Sequence, residues 1–263
     1  MAVAGAIVIA GLVTLLCQQP VANMLAGKLT QANYQGVHIP TGVGIAMLPA
    51  IILTFTLTSV DREHSIILWL TAACMGGFID DAIGDHEFRG FVGHFRALFA
   101  GQLTTGIVKV ALVAGAGWLV FVPQLNIQAL ADLLTALLTV NLFNQLDLRP
   151  GRMLKGALLL LAPIVLLTTG QGQLLAAIGT GAVLGILGGD IRARIMLGDA
   201  GANLVGALAA MALFLTLSPS GRLLALLFVF VLNLVGELYS FTRLIQRLPI
   251  LGWLDYLGRQ RQE

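Results

Sequence analysis

Long apolar stretches separated by short polar ones run through the whole chain. A membrane-crossing helix needs about 20 mainly apolar residues. Nine segments approach that length: 1–18, 42–60, 64–79, 98–122, 126–143, 154–169, 172–188, 200–217 and 222–241. The third and seventh are short, and a polar break at Thr168–Gln173 separates the sixth from the seventh. The runs are continuous and not alternating, which points to helices and away from an outer-membrane barrel. Gly115 and Gly117 fall inside the fourth segment, where small residues favour close helix packing in lipid. The expected fold is all-α, a polytopic integral membrane helix bundle of about nine transmembrane helices. Residues 1–241 form that domain. Residues 242–263, TRLIQRLPILGWLDYLGRQRQE, mix Arg with Leu, Ile and Trp253. They read as an amphipathic cytoplasmic tail, either an interfacial helix or a lid.

Composition agrees with a chain surrounded by lipid. It is 57% hydrophobic and 11% charged, with a mean hydropathy of +0.90, where soluble domains carry about 25% charged residues. Soluble globular folds and disorder are thereby set aside. The net charge of +2 is too small to argue for nucleic acid as a partner. Cys17 and Cys74 lie in apolar runs and read as small buried hydrophobes, with no disulfide framework. No basic stretch precedes the first apolar segment, so it reads as a membrane helix and not as a cleaved signal.

The distribution of Lys and Arg gives an orientation. With the N-terminus outside, the outside connections hold Arg62 and Arg222. The inside loops and tail hold Lys28, Arg89, Arg96, Arg149, Arg152, Lys155, Arg192, Arg194, Arg243, Arg247, Arg259 and Arg261. The bias predicts N-out and C-in. In the same frame Asp80, Asp81, Asp85, Glu87, Asp147, Asp190 and Asp199 collect at inner helix ends and inside loops.

Four inside patches carry candidate chemistry. Asp80 and Asp81 close GGFIDD at 76–81, where adjacent carboxylates call for a cation, although a solvated helix end would read the same way. Asn141 and Asn144 lie one turn apart in NLFNQLD at 141–147, and Asp147 continues their face. Arg149, Arg152 and Lys155 follow across a Pro-Gly break. They suit phosphate oxygens, or they are ordinary snorkelling cations of a positive-inside loop. Asp199, in IMLGDAGANLVG at 195–206, either caps the next helix or holds Mg²⁺, or does both. His38 sits in HIPTGVG at 38–44, a loop entering a helix, where it either touches phosphate or is simply solvated. Glu237, near the inner end of segment nine, is either a functional-site residue at membrane depth or a structural partner of Asn233 or a nearby Arg. Asp132 and Lys109 are packing partners of the same kind or lie close to the outer boundary.

Taken in order, the patches at 38–44, 76–81, 141–147 and 195–206 resemble the polyprenyl-phosphate N-acetylhexosamine-1-phosphate transferases. They look like that family's pre-helix Pro-x-Gly-Gly loop, its Asp-Asp motif, its Asn-x-x-Asn-x-x-Asp motif and its Gly-Asp-x-Gly motif. The likeness covers about residues 33–206. It implies a multi-pass enzyme of the cytoplasmic membrane with its site facing the cytoplasm. The enzyme would use Mg²⁺, with Mn²⁺ as a substitute, to move a sugar-1-phosphate from a UDP-sugar to a polyprenyl phosphate, releasing UMP, in cell-envelope glycan synthesis. By the same resemblance Asp199, with Asp80, would hold the metal. Asp80 and Asp81 would serve the lipid phosphate nucleophile, and Asp147, Asn141 and Asn144 would line the nucleotide side.

The chain departs from the family after Asp147, where Leu148-Arg149-Pro150-Gly151-Arg152 replaces the usual Asp-Gly run. It also has no histidine after His94, so the His motif of the pentapeptide-transferring branch is missing. The Arg-rich replacement implies an altered donor, and replacing Arg149 and Arg152 is expected to raise the donor's apparent KM. A non-catalytic relative binding polyprenyl phosphate or a partner enzyme is the alternative. A transporter ranks third, because paired halves with broken helices are missing. A homodimer is compatible with the sequence but not specified by it.

Overall fold

The computed structural model describes residues 3–58, 63–84, 101–102 and 104–259. Helix α1 (Val3–Leu25) leads into a short antiparallel hairpin, β1 (Thr30–Ala32) and β2 (His38–Pro40), and then a 3₁₀ turn at Val43–Ala46. After it come α2 (Met47–Thr58), α3 (Glu63–Ile83), α4 (Thr105–Phe121), α5 (Ile127–Leu146) and α6 (Arg152–Leu167). Then follow α7 (Gln171–Ile191), α8 (Gly198–Thr216), α9 (Pro219–Leu238) and two short helices, α10 (Phe241–Arg247) and α11 (Pro249–Tyr256). The described residues are therefore mainly helical, with one hairpin in a stretch expected to be loop. Among the described residues six helices, α1, α3, α5, α7, α8 and α9, are long and apolar enough to cross a membrane.

Helix α8 is the axis of the bundle. Every residue from Ala200 to Ala212 is buried, as expected of a helix that is apolar all round. It packs against α3, α5, α7 and α6, and small residues set how closely. A Cβ on Gly206 would lie 2.8 Å from Val140 Cα of α5. On the far side, α7 meets α1 through Gly181 and Gly185, four apart, whose added Cβ atoms would stand 2.2 and 2.4 Å from the Ile7 and Gly11 carbonyl oxygens. Without a hydrophobic force between helices in lipid, such backbone approaches carry much of the association energy. Trp69 of α3 donates its indole N–H to the Ala207 carbonyl of α8 at 3.0 Å. Its ring meets Phe121 of α4 edge-on at 5.3 Å, and Phe121 meets Phe214 of α8 at 5.1 Å.

Helices α1 and α9 lie at the rim. Leu223, Leu224, Leu227, Phe228 and Phe230 of α9 all point outward, and its inner contact is chiefly with α5. Apolar side chains outside and close-packed small residues inside are the reverse of a soluble helix bundle. They match a protein whose solvent is hydrocarbon.

The observed helices outrun the expected segments at their polar ends. Helix α1 continues through Gln18, Gln19 and Pro20 to Leu25, and α3 continues through Asp80 and Asp81 to Ile83. Asp85, His86, Glu87, Arg89, His94 and Arg96 lie outside the described residues.

Candidate functional site

Three sequence-distant segments meet where α3 ends and α8 begins. Glycines make the approach feasible. A Cβ on Gly77 would stand 2.2 Å from the Asp199 carbonyl oxygen, and one on Gly44 would stand 2.2 Å from Gly201 Cα. Gly198 has a φ of +68°, and a Cβ there would run into the Asp81 carboxylate. These glycines belong to the patches at 38–44, 76–81 and 195–206. The loop at 40–44 is stitched to the loop before α8 by three backbone bonds: Met196 N–H to the Pro40 carbonyl, Val43 N–H to Met196, and Gly44 N–H to Leu197.

The two adjacent aspartates of α3 face different partners. Asp81 accepts the backbone N–H groups of Asp199 and Ala200 at 2.9 and 3.0 Å. It thus caps the N-terminus of α8 from another helix, where the orphan amides and the helix dipole favour an anion. Asp80 accepts from the Thr105 hydroxyl at 2.6 Å and from Lys109 Nζ at 2.6 Å. Lys109 Nζ also reaches Asp199 at 2.5 Å. A single ammonium, from the second turn of α4, therefore bridges the two carboxylates named as metal ligands. The lysine and Asp80 side chains are each 18% exposed, so the triad is shielded yet still reachable. The sequence admits Lys109 as a packing partner of its helix or as a group close to the outer boundary; the structure instead sets its ammonium between Asp80 and Asp199, which is the main addition it makes to the site.

Asp147 follows the last residue of α5. It lines an open cleft with Asn33, Tyr34, Arg149, Pro150, Asp190 and the 193–197 loop. Burial, then the negative charges of Asp190, Asp199 and Asp81, push its carboxyl well above the usual carboxylate range. Asp190 accepts the Gly151 N–H at 2.6 Å and so caps the start of α6. Arg149 stacks over the Tyr34 ring at 5.7 Å on the cleft wall.

The remaining candidates go elsewhere. Arg152 is buried, and its guanidinium grips Asp255 of α11 through two bonds of 2.9 and 3.0 Å and donates to Thr242 at 2.9 Å. Lys155 donates to the carbonyls of Leu254, Asp255 and Leu257 at the end of α11. Arg259 adds bonds to Asp255 and to the Pro150 carbonyl. The donors of Arg152 and Lys155 are thus spent on latching the tail, in place of the phosphate contacts expected of them. Asn141 donates to Asn233 of α9 at 2.6 Å, inside a helix–helix contact. Asn144 donates to Asn203 of α8 at 3.1 Å, one turn beyond Asp199. His38 is exposed on β2, opposite Ala32. Asp132 pairs with Arg222 at 2.6 Å and Glu237 meets Gln145 at 3.4 Å, both away from the aspartate–lysine triad.

Among the described residues no three carboxylate, imidazole or thiol side chains stand together as a self-sufficient metal site. Magnesium, however, is commonly held by one or two carboxylates, with phosphate oxygens and water completing its octahedron. Asp80 and Asp199 converge on one point, which the Lys109 ammonium occupies; with substrate present they would offer two carboxylates to an ion of that kind. No family model matches the chain, and no curated protein matches it.

Proposed function

We propose that the protein is a membrane phosphotransferase that moves a sugar-1-phosphate from a UDP-sugar to a polyprenyl phosphate and releases UMP. The observation that carries this reading is the convergence of patches 38–44, 76–81 and 195–206 on one shielded carboxylate pair bridged by Lys109. Asp147 of the fourth patch stands within electrostatic reach of Asp81 and Asp199. In this reading α1 to α9 cross the cytoplasmic membrane nine times, N-out and C-in, with the site at the cytoplasmic face. The short helices α2, α4 and α6 complete the count beside the six long ones.

The reaction joins two anions, so charge neutralisation and alignment dominate its barrier. An oxygen of the lipid phosphate attacks the phosphorus bonded to the sugar. The bond from that phosphorus to the bridging oxygen breaks, and UMP leaves with the electron pair. Magnesium held by Asp199 and Asp80 would screen the diphosphate and polarise the phosphorus under attack. Lys109 holds the two carboxylates at fixed separation and keeps an ammonium beside the reacting phosphates. Asp81 fixes the start of α8, and hence Asp199, without touching substrate. Arg149 presents its guanidinium on the cleft wall, where a diphosphate entering from water would meet it. A phosphate monoester is nucleophilic near neutral pH, so no side chain needs to remove a proton.

The test is UMP release by purified protein with undecaprenyl phosphate, Mg²⁺ and a panel of UDP-sugars. Release that needs lipid, metal, Asp80 and Asp199 is the expected result; no release with any donor overturns it. A second reading, a non-catalytic relative that binds polyprenyl phosphate, is favoured by one observation. Lys109 already pairs with both carboxylates and occupies the space between them. Metal-independent binding of the lipid phosphate without UMP release would select it.

A further inference from the structure

The latch described above fixes how the tail faces its surroundings. Asp255 is buried on the inner side of α11, held by Arg152 and Arg259. Ile250 and Trp253 of α11, and Leu257 just past its end, recur at i, i+3 and i+7 on the side opposite Asp255. They are 75%, 63% and 50% exposed. The exposed apolar row is therefore a consequence of the buried ion pairs, which leave α11 no freedom to roll it inward.

Helix α10 supplies the complementary charge. Arg243 and Arg247 lie one turn apart, both exposed, and among the described residues neither has an ion-pair partner. They contrast with Arg152 and Arg259, whose guanidinium groups are both bonded to Asp255. Along the chain this tail follows directly on the outward face of α9, whose exposed residues run through Leu234 and Leu238 to Tyr239 before α10 begins. That face has the composition of a lipid-facing surface. Following it, a row of Ile, Trp and Leu beside two unpaired guanidinium groups matches the boundary between acyl chains and headgroups.

We propose that α10 and α11 form a docking surface for anionic phospholipid in the adjoining leaflet. Ile250, Trp253 and Leu257 immerse in the acyl boundary, and Arg243 and Arg247 take headgroup phosphates. The tail then anchors at the membrane surface on one side and grips the Pro150–Lys155 turn on the other. The inference rests on the membrane setting and not on the transferase chemistry, so the two fail separately.

The experiment uses the full chain in lipid nanodiscs of phosphatidylcholine with or without phosphatidylglycerol. Cys17 and Cys74 are changed to Ala, and a nitroxide is attached after Ile250→Cys or Trp253→Cys. Expected are strong relaxation by oxygen and protection from a water-soluble nickel chelate. In a separate cysteine-unaltered sample, Arg243→Gln with Arg247→Gln is expected to lower, several-fold, the phosphatidylglycerol retained in native mass spectrometry. Both arginines are exposed, so this variant keeps the fold. Labels open to the nickel chelate, as a water-facing lid or protein-docking face would give, overturn the proposal. Unchanged lipid retention in the double variant overturns it as well.

Discussion

Lys109 is the residue on which the site's electrostatics turn. Its ammonium lies within 2.6 Å of Asp80 and 2.5 Å of Asp199, so Lys109→Met leaves two shielded carboxylates facing each other. We expect UMP release to fall by about two orders of magnitude, the scale seen when one preorganised charge-stabilising group is lost. Single-turnover assays with saturating donor would read the loss in kcat. Arg149 and Arg152 flank the same Pro150-Gly151 pair, yet they separate in the structure. Arg149→Gln is expected to raise the donor's KM with little change in melting temperature. Arg152→Gln is expected to lower the melting temperature, because it strands Asp255. The acidic half of the site was legible from sequence because carboxylates at the ends of apolar segments are conspicuous. Its cationic half was not. A lysine inside an apolar run looks like any snorkelling residue until the helix opposite is known. The partner of Arg152 lies 103 positions away, and no local pattern announces a contact at that range.

At the scale of elements, apolar runs placed the helices well and placed their ends poorly. Hydropathy falls as soon as Gln18 or Asp80 enters the window, yet the backbone continues its i to i−4 bonds whatever the side chain. Both aspartates of α3 are helical for that reason, and being consecutive they point about 100° apart. One therefore reaches Lys109 and the other the start of α8. Gly77 lets α3 come that close. Gly77→Ala puts a Cβ into the Asp199 carbonyl, and we expect a destabilisation of about 1–3 kcal/mol with loss of the Asp81 cap, read by thermal unfolding in detergent. The tail latch has a defined pH dependence. Burial raises the Asp255 carboxyl, but the hydrogen bonds and charges of Arg152 and then Arg259 outweigh it and hold it below its usual range. A lowered folded value stabilises docking above the unfolded value of about 3.9. That contribution is lost as pH falls through the folded value. Amide exchange across 249–256 should therefore stay slow at neutral pH and quicken below about pH 4. In Asp255→Asn it should be fast throughout.

For the whole molecule, the residues of the candidate site gather at one end of the bundle. The turns holding Gln124 and Ser218 join the opposite helix ends. If the orientation proposed from the Lys and Arg bias holds, Gln124→Cys in intact cells reacts with a membrane-impermeant maleimide, and Gln35→Cys reacts only after permeabilisation. The reverse pattern would invert the protein. Between these ends the indole–carbonyl bond of Trp69 and the Phe121–Phe214 stack tie α3, α4 and α8 together. A site built only from carboxylates would need dissolved ions to assemble and would loosen whenever they left. Here the counter-charge is carried on a four-carbon tether. The folded state should accordingly be indifferent to chelators, with the same melting temperature in EDTA as in magnesium, while Lys109→Met should acquire a melting temperature that climbs with added magnesium. On the proposed reaction, a protein so constructed would give up every diffusible ion with its product and stand ready, unchanged in shape, for the next encounter.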